Sequence, residues 1–282
     1  MKLWQNRSLS KGMNRFYLIT NKTKDKSLEI TNRIKAYIEN KGGICFLADE
    51  YPSMPEQIDC ILVLGGDGTL IRAAREFPSS DVPMLGINMG TLGYLTEVEV
   101  SDMEDSLDQL MSGNSYVEKR MLLQGTVREN DKILALNDIV LTRNGNVRVI
   151  QFNVYVNGEL LNTYRADGVI VSTPTGSTAY NLSAGGPIVA PTASLIVITP
   201  ICSHALNTSS IVLSADDEIV LEVDEGRDGN MEEAVVSFDG EEEVIVHTGD
   251  KIQICKAEAT AKLLKLSKIS FLEIMRKKMK GN

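Results

Sequence analysis

The sequence has few of the residues on which two common kinds of catalytic site depend. It contains two histidines, His204 and His247, and four cysteines that lie far apart without a Cys-x-x-Cys pair. The histidines are not spaced for zinc, and neither lies near a serine-nucleophile elbow. Zinc chemistry and Ser-His catalysis are therefore poor explanations of this chain. The separated cysteines predict reduced thiols in a cytosolic protein.

Long apolar runs and basic runs are also missing. No apolar stretch reaches the roughly 20 residues that cross a bilayer, and the N-terminus lacks the apolar core of a signal peptide. The chain has 29 Lys and Arg against 38 Asp and Glu, a formal net charge of −9. We expect a cytoplasmic protein with no nucleic acid and no membrane as partner, which must place positive charge locally wherever it binds a phosphate.

The most informative segment joins a strand, a glycine-rich turn and a helix. Five apolar residues, Cys60 to Leu64, are typical of a strand buried on both faces of a parallel sheet. The turn 65–69 (GGDGT) follows, and its glycines allow positive φ angles and remove the Cβ atoms that would hold a ligand away from the backbone. The start of the next helix adds its positive end. The segment predicts a phosphate-binding loop.

Asp67 is unexpected in such a loop, because a carboxylate repels a phosphate. Accepting a proton from an attacking hydroxyl, or binding Mg²⁺ beside phosphate oxygens, would explain it, and both indicate phosphoryl transfer. An N-cap of the following helix is the alternative, since Asp is favoured there. The loop alone supports the two explanations about equally.

The pattern of elements changes near residue 115. Up to that point strands and helices alternate, which predicts an α/β domain with a parallel sheet. Two turns, at 65–69 after the strand 60–64 and at 88–91 after the strand 84–87, should face one crevice, because ligands of such sheets collect at the carboxyl ends of strands. After residue 115, short strands separated by Asn-Gly, Asp-Gly and Gly-Asp turns predict a β-rich, antiparallel, sandwich-like domain. The predicted divisions are 1–14, a loose tail; 15–115, the α/β domain; 116–265, the β-rich domain; and 266–282, a C-terminal helix. This helix could pack back on the first domain, and the sequence does not decide whether it does.

Periodicity and turn residues also predict individual elements. These are strands at 15–20 and 44–48, helices at 27–40, 101–111 and 271–277, and a hairpin at Asn157-Gly158.

A second segment, residues 167–186, carries a strand into a loop dense in hydroxyl groups. Ser and Thr side chains bind adenine edges, ribose or phosphate, and the ring of Tyr180 offers a face for stacking. The alternative is a Ser/Thr-rich turn whose hydroxyls bond the local backbone. The segment by itself leaves both open.

Three motifs in this order closely resemble those of the bacterial NAD kinase family. They are the GGDGT turn at 65–69, Asn137-Asp138, and Asp167-Gly168 leading to the TGSTAY run at 175–180. The first is shared with diacylglycerol-type lipid kinases and loosely with phosphofructokinases, whereas the last is highly specific. The resemblance extends over roughly residues 15–270. It implies an α/β domain followed by a β-rich, dinucleotide-binding domain, and transfer of the γ-phosphate of ATP to the 2′-hydroxyl of the adenosine ribose of NAD, which gives NADP.

The resemblance also implies roles for individual residues. Asp67 would be the catalytic residue that orients and deprotonates the 2′-hydroxyl. Contacts to the ATP phosphates would come from Gly65, Gly66, Gly68, Thr69 and Arg72. Contacts to NAD would come from Asp67, Gly68, Asn137, Asp138, Arg148, Arg165, Asp167, Thr175, Thr178, Ala179, Tyr180, Asn181, Leu182 and Ser183. The charge of the triphosphate would be neutralised by Mg²⁺ or another divalent cation, with no side chain assigned as its direct ligand.

Three positions carry a qualification. For Arg72, an exposed helix arginine is the alternative. Asp138 is one methylene shorter than the Glu that is commoner in the family, so its contact to ribose would be looser or water-mediated. Asp239-Gly240 matches an Asp-Gly pair of the family, but a hairpin turn explains it more simply than a ligand contact.

Two other functions share part of this pattern. A lipid kinase would use the same GGDGT chemistry, but the hydroxyl-rich loop and the lack of an obvious amphipathic membrane-facing helix argue against it. A non-catalytic sensor would bind the dinucleotide without forming NADP. The resemblance further implies homodimers or homotetramers, in which a neighbouring subunit helps to complete the nicotinamide pocket.

Overall fold

The computed structural model describes residues 12–78, 81–90, 93–127, 132–145, 149–203, 209–226, 229–266 and 270–279. The chain divides into two compact units. The first unit consists of Met1–Lys119 and Ala261–Asn282, and the second of Arg120–Thr260. The last helix of the chain therefore belongs to the first unit.

Helices alternate with strands only in the first part of the chain. That part contains β1 (Arg15–Thr20), α1 (Glu29–Asn40), β2 (Ile44–Leu47), β3 (Cys60–Gly65), α2 (Asp67–Glu76), β4 (Met84–Asn88), β5 (Val98–Glu99) and α3 (Met103–Met111). The middle contains β6 (Tyr116–Thr126), β7 (Lys132–Ala135), β8 (Asp138–Arg143), β9 (Ile150–Val156), β10 (Glu159–Ala166), β11 (Gly168–Ser172), α4 (Tyr180–Ser183) and β12 (Leu195–Ile201). The last part contains β13 (Ile211–Ser214), β14 (Ile219–Val223), β15 (Glu233–Phe238), β16 (Glu242–His247), β17 (Lys251–Lys265) and α5 (Phe271–Met279).

The first unit is built on a parallel sheet. Its strand order is β4-β3-β1-β2, and both the end of β17 and the short β5 run parallel to β4. Every residue of β3 and of β4 is buried. Uninterrupted burial is what the apolar run of β3 predicts for a strand covered on both faces. The α/β prediction for this part of the chain is confirmed.

The helices of the first unit each bury one face. α1 buries Thr31, Ile34 and Ile38, and α3 buries Met103, Leu107 and Leu110, at spacings that place them on one side of a helix. These apolar side chains and those of β1, β3 and β4 form one core. The predicted helices therefore form because a single apolar stripe can cover the sheet.

The second unit is an antiparallel sandwich. One sheet has the order β10-β9-β14-β17 and the other β13-β12-β11-β8-β15-β16, and neighbouring strands in each are antiparallel. Side chains of both sheets, such as Phe152 of β9 and Phe238 of β15, form one buried core. The prediction of a β-rich, sandwich-like fold is confirmed.

The hairpin predicted at Asn157-Gly158 joins β9 to β10. The two central residues have φ angles of 51° and 83°. Positive φ at both positions is the geometry that an Asn-Gly pair favours, because it matches the twist of the flanking strands.

The helix after the glycine turn begins earlier than the sequence predicts. α2 starts at Asp67, and Gly66 occupies its N-cap position. The carbonyl of Gly66 accepts hydrogen bonds from the N–H groups of Thr69 and Leu70, at 3.0 and 3.2 Å. Most of the predicted loop is therefore the first turn of a helix, which points its N–H groups toward the carboxyl end of the sheet.

Candidate active site

Two glycine-containing turns of the first unit lie side by side. In the register of the sheet, Gly65 at the end of β3 pairs with Asn88 at the end of β4. The N–H of Met89 donates to the carbonyl of Gly65 at 2.7 Å, which joins the second turn to the first. The two turns are adjacent at the sheet edge where ligands of parallel sheets bind. Thr91, predicted as part of the second turn, lies outside the described residues.

The glycines of the first turn remove side chains from its surface. A Cβ on Gly65 would lie 2.4 Å from Oγ1 of Thr69, so this position leaves no room for a side chain. A Cβ on Gly68 would meet nothing within 4 Å, and this residue is exposed. None of Gly65, Gly66 and Gly68 has a positive φ. The turn therefore does not use the left-handed conformations that glycine allows. Its glycines serve to leave the backbone uncovered by side chains.

The carboxylate of Asp67 is held by backbone N–H groups. Oδ2 accepts from the N–H of Tyr94 at 2.7 Å, and Oδ1 accepts from the N–H groups of Leu95 and Thr96, each at 3.1 Å. The hydroxyl of Thr96 adds a longer bond to Oδ1 at 3.3 Å. No side-chain cap is formed on α2. The N-cap explanation of Asp67 is therefore wrong: it is the first residue of the helix, and its side chain binds another segment.

This arrangement depends on a glycine that the sequence reasoning did not single out. A Cβ on Gly93 would lie 1.9 Å from Oδ1 of Asp67. Only glycine allows the backbone of 93–96 to approach the carboxylate so closely. The segment fixes the side chain in one orientation, and Oδ2 keeps fewer protein donors than Oδ1, so a hydroxyl can still donate to it.

Asn137 and Asp138 of the second unit are positioned by Asp239. The carboxylate of Asp239 accepts from the N–H groups of Leu136, Asn137 and Asp138, at 2.8, 2.7 and 3.2 Å. The N–H of Asp239 in turn donates to the carbonyl of Asp138 at 3.0 Å. Asp239 and Gly240 form the turn between β15 and β16, with φ angles of 53° and 69°. The hairpin turn predicted there exists, and its Asp also orders the Asn-Asp motif.

A pocket of the second unit gathers several of the predicted NAD-binding residues. It has a volume of ≈ 400 Å³. Its lining residues are Asn137, Asp138, Val140, Thr142, Ala179, Tyr180, Ser237, Asp239 and Gly240. The polar groups lie beside an aromatic ring that is 44% exposed, that of Tyr180. Such a pocket can accept a hydroxylated sugar together with a flat ring.

The carboxyl group of Asp138 has an unusual environment. The residue is 5% exposed, and burial is the main cause that raises its pKa to about 7. The nearby carboxylate of Asp239 raises this pKa further, because two negative charges repel each other. Asp138 can therefore exchange a proton near neutral pH, which the sequence did not predict.

Most hydroxyls of the Ser/Thr-rich loop donate to backbone carbonyls. Thr173 donates to the carbonyl of Leu136 at 2.6 Å, and Ser177 donates to that of Pro174 at 2.7 Å. Thr178 donates to the carbonyl of Thr175 at 3.3 Å. The hydroxyls therefore order the backbone, as the second explanation predicts, and Ala179 and Tyr180 line the pocket. Binding of a nucleotide by this segment stays a prediction.

Two other predicted contacts are buried. Asn181 is fully buried, and its amide donates to the carbonyls of Ser177 and Pro187 and accepts from the hydroxyl of Thr199. Thr175 is 5% exposed, and Arg120 donates to its hydroxyl at 3.3 Å. Their roles in NAD binding stay predictions.

The remaining predicted residues lie on the surface of their units. Arg72 is exposed on α2, Arg165 is exposed on β10, and Leu182 and Ser183 are exposed on α4. Asp167 pairs with Arg143, with 3.2 Å between Oδ1 and Nε. The roles of Arg165 and Asp167 in NAD binding stay predictions. Arg148 lies outside the described residues.

Sequence reasoning missed the ordering role of Asp239 and the pocket residues Thr142 and Ser237. The Asp-Gly pair at 239–240 predicts a turn, but a turn prediction does not indicate that the Asp239 carboxylate binds another segment. Thr142 and Ser237 carried no signal in the sequence, because their positions follow from the pairing of β8 with β15.

Within the described residues, no group of three or more His, Cys, Asp or Glu side chains could hold a metal ion. The described residues also include no helix with the length and apolar character needed to span a membrane.

Comparison with known families assigns both parts of the chain. The family model of the ATP-NAD kinase N-terminal domain matches residues 47–115, and that of the C-terminal domain matches residues 136–266. A NAD kinase of Agathobacter rectalis is 48% identical over 282 residues, which cover 96% of this chain and 99% of the relative. A NAD kinase of Lachnospira eligens is 45% identical over 293 residues, which cover 95% and 100%. The chain belongs to the NAD kinase family. It is therefore a phosphotransferase with an alcohol group as acceptor.

Solved structures agree with this membership. The crystal structure of an NAD kinase from Archaeoglobus fulgidus in complex with ATP has a TM-score of 0.78 at 25% identity, and covers 94% of this chain and 98% of that chain. The crystal structure of yeast NADH kinase complexed with NADH also has a TM-score of 0.78, at 24% identity, and covers 99% and 89%. The second likeness shows the fold alone.

Proposed function

We propose that the protein transfers the γ-phosphoryl group of ATP to the 2′-hydroxyl of the adenosine ribose of NAD and so produces NADP and ADP. The observation that carries this proposal is the carboxylate of Asp67, fixed at the start of a helix inside a glycine turn, in a chain of the NAD kinase family. The ATP complex of the related Archaeoglobus fulgidus NAD kinase supports the choice of the phosphate donor.

Asp67 is the proposed proton acceptor. A ribose hydroxyl that donates to Oδ2 loses its proton to this oxygen as the 2′-oxygen bonds to the γ-phosphorus. The bond from that phosphorus to the β–γ bridging oxygen breaks at the same time, and ADP leaves. Because the N–H groups of residues 94–96 hold the carboxylate still, the hydroxyl is aimed before the reaction begins.

The glycine turn is the proposed site of the triphosphate. Gly65, Gly66, Gly68 and Thr69 would line the triphosphate, since the positive end of α2 favours an anion and the glycines leave the backbone open. Arg72 on the second turn of α2 is proposed as a further phosphate contact.

The pocket of the second unit is the proposed site for part of NAD. Asn137 and Asp138 would bind ribose hydroxyls, since a carboxylate and an amide suit a vicinal diol. Tyr180 would stack on a ring of the ligand. Asp167, Arg165 and Arg148, together with the contacts proposed for residues 175 and 178–183, complete the NAD site that the family resemblance implies.

A divalent cation, in the first place Mg²⁺, is the proposed cofactor. The donor set fits, because Mg²⁺ is usually held by one or two carboxylates and by substrate phosphates, and Asp67 is a carboxylate in the phosphate turn. When bound, the ion would neutralise charge on the phosphates.

The proposed activity is tested by incubating the purified protein with Mg²⁺, ATP and NAD and measuring NADP and ADP in parallel. We expect equal amounts of the two products. Diacylglycerol and sphingosine replace NAD in matched reactions, and phosphorylation of either lipid but not of NAD would indicate a lipid kinase. Tight NAD binding without NADP formation would indicate a sensor.

We further propose that the protein works in the cytoplasm as a homodimer or homotetramer. All four cysteines are present as free thiols, which suits a reducing compartment. Sedimentation velocity at micromolar protein concentration measures the assembly, and a species with the mass of one chain would contradict it.

A further inference from the structure

A lysine of the first unit lies beside the proposed phosphate turn at the point where the sheet changes direction. From β1 the chain continues to β2 on one side of the sheet, and from β3 it continues to β4 on the other. The loops after β1 and β3 therefore flank the topological switch point, where ligands of open parallel sheets bind. The loop after β1 contains Asn21, Lys24 and Asp25.

This loop is tied directly to the glycine turn. The N–H of Asn21 donates to the carbonyl of Leu64 at 2.8 Å, and its side-chain amide donates to the hydroxyl of Thr69 at 3.1 Å. The N–H groups of Lys24 and Asp25 both donate to the carbonyl of Asn21, at 3.0 and 3.1 Å. These bonds fold the loop back on itself and fix where the side chain of Lys24 begins.

The other side of Lys24 is anchored in the core. Asp25 is 4% exposed, and its carboxylate accepts from the N–H and the hydroxyl of Thr31, at 2.8 and 2.7 Å. Asp25 thus ties the loop to the first turn of α1. Because Asn21 and Asp25, which precede and follow Lys24, are both held by hydrogen bonds, the backbone of Lys24 is fixed although its side chain is exposed.

The ammonium group of Lys24 lies over both glycine turns. Its Nζ donates to the carbonyl of Met89 at 2.9 Å. It lies 3.1 Å from the point where a Cβ on Gly66 would stand, and 3.6 Å from the corresponding point on Gly90. The ammonium therefore occupies the open surface that these glycines create.

The charge of Lys24 is not matched by a carboxylate within 4 Å among the described residues, whereas that of Lys22, two positions earlier, is matched by Asp49 at 2.9 Å. The chain as a whole has a net charge of −9. A lysine ammonium has three donors, and a carbonyl uses one of them. The remaining donors and the whole charge are available to an anion.

We propose that Lys24 binds a phosphate group of the donor nucleotide, as a residue additional to the glycine turn and α2. This inference rests on the proposed kinase activity and deepens it, since it supplies the local positive charge that an acidic protein needs to bind a triphosphate. The bond to the carbonyl of Met89 holds the ammonium above the turn before the nucleotide arrives.

The test compares Lys24→Met with Lys24→Arg and with Lys22→Met, a control that removes the same charge from the same loop. KM is measured for ATP at saturating NAD, and for NAD at saturating ATP. We expect Lys24→Met to raise the KM for ATP by about 10- to 100-fold, as for a lost hydrogen bond to a charged group. The KM for NAD should change by less than about twofold, Lys24→Arg should recover most of the loss, and Lys22→Met should match the wild type.

Two results would overturn the inference. A KM for ATP within twofold of the wild type in Lys24→Met would show that the ammonium does not bind the donor. Equal increases in both KM values would show that Lys24 only holds the two turns together. If the wild type forms no NADP, the proposed activity fails by itself, and calorimetric titration of the same variants with Mg²⁺ and ATP decides the role of Lys24: weaker binding by Lys24→Met alone supports it, and equal binding excludes it.

Discussion

The proposed catalytic role places two demands on the carboxylate of Asp67. It must stay at a fixed place inside a turn that attracts phosphate, and it must keep an oxygen that can take a proton. Backbone N–H groups of residues 94–96 meet the first demand, and the hydroxyl of Thr96 adds one longer bond. The unequal use of the two oxygens meets the second, because Oδ2 accepts from Tyr94 while Oδ1 accepts from both Leu95 and Thr96.

Replacing Asp67 with Asn removes the proton acceptor and keeps the shape of the side chain. We expect turnover to fall by about 10²- to 10⁴-fold, the usual contribution of general base catalysis. An amide also places a donor opposite a backbone N–H, so we expect a stability loss of about 1–2 kcal/mol. NADP formation, NAD binding by calorimetry and thermal unfolding are measured together. Normal turnover in this variant would contradict the assigned role.

The raised pKa of Asp138 predicts that stability and, through the proposed contact to ribose, NAD binding depend on pH. A carboxyl group whose pKa is raised to about 7 on folding binds a proton more tightly in the folded state than in the unfolded state. The stability it contributes is complete below its ordinary pKa of 3.8 and is lost as the pH rises through 7. Ribose hydroxyls donate to the ionised form, so NAD binding should change in the opposite direction.

The pH dependence is measured on the wild type and on Asp138→Asn between pH 5 and pH 8.5. For the wild type we expect the free energy of unfolding to decrease by up to about 1.4 kcal/mol per pH unit between pH 5 and 7, relative to the variant. The dissociation constant of NAD should decrease over pH 6 to 8 in the wild type and stay level in the variant. Parallel pH profiles for the two proteins would contradict the assignment.

Two hairpins of the second unit have nearly the same turn but different uses. Asn157-Gly158 joins β9 to β10, and Asp239-Gly240 joins β15 to β16, with positive φ at all four residues. Asn157 of the first turn binds Asp217 and Glu218, just before β14. The carboxylate of Asp239 in the second turn instead orders residues 136–138 at the start of β8, beside the pocket. One type of element thus serves the fold in one place and the pocket in another.

The substitutions Gly158→Ala and Gly240→Ala distinguish a turn that affects stability alone from one that also affects the pocket. A Cβ on Gly158 or Gly240 would meet nothing within 4 Å, so the cost in both cases comes from the positive φ alone. We expect each substitution to lower stability by about 1 kcal/mol. Gly240→Ala should in addition raise the KM for NAD several-fold, and Gly158→Ala should leave it unchanged. If the two variants had equal kinetics, the Asp239 turn would have no part in ordering the pocket.

At the scale of the whole molecule, the end of the chain completes the first unit. The last residues of β17 lie beside β4, and Lys265 forms an ion pair with Glu97 at 2.8 Å between side chains that are 9% and 6% exposed. Glu97 directly follows the segment that holds Asp67. The ion pair therefore links the end of the chain to the residue next to that segment, 168 positions earlier.

Removal of one member of this buried pair should be costly. We expect Lys265→Met to lower the free energy of unfolding by about 3–5 kcal/mol, because Glu97 is left buried without its cation. Lys262→Met is the matched control, since Lys262 pairs with an Asp81 side chain that is fully exposed, and its loss should cost less than about 1 kcal/mol. Urea unfolding measures both. The double substitution Glu97→Gln with Lys265→Met should recover part of the loss, and no recovery would exclude an unpaired charge as the cause.

Local patterns in the sequence determined the elements and the kind of chemistry. The apolar run before Gly65 predicted a buried parallel strand, Asn157-Gly158 predicted its turn, and the hydroxyl-rich run at 175–180 identified the family, because each depends on neighbours in the chain. Only the tertiary structure decided how the side chains are used. Asp67 is held by residues 94–96, and Lys24 lies over Gly66 and Gly90. Asp138 is ordered by Asp239, and burial, together with the Asp239 carboxylate, raises its pKa. These contacts join segments that are distant in sequence, and they arise from strand order and packing, which no local spacing records.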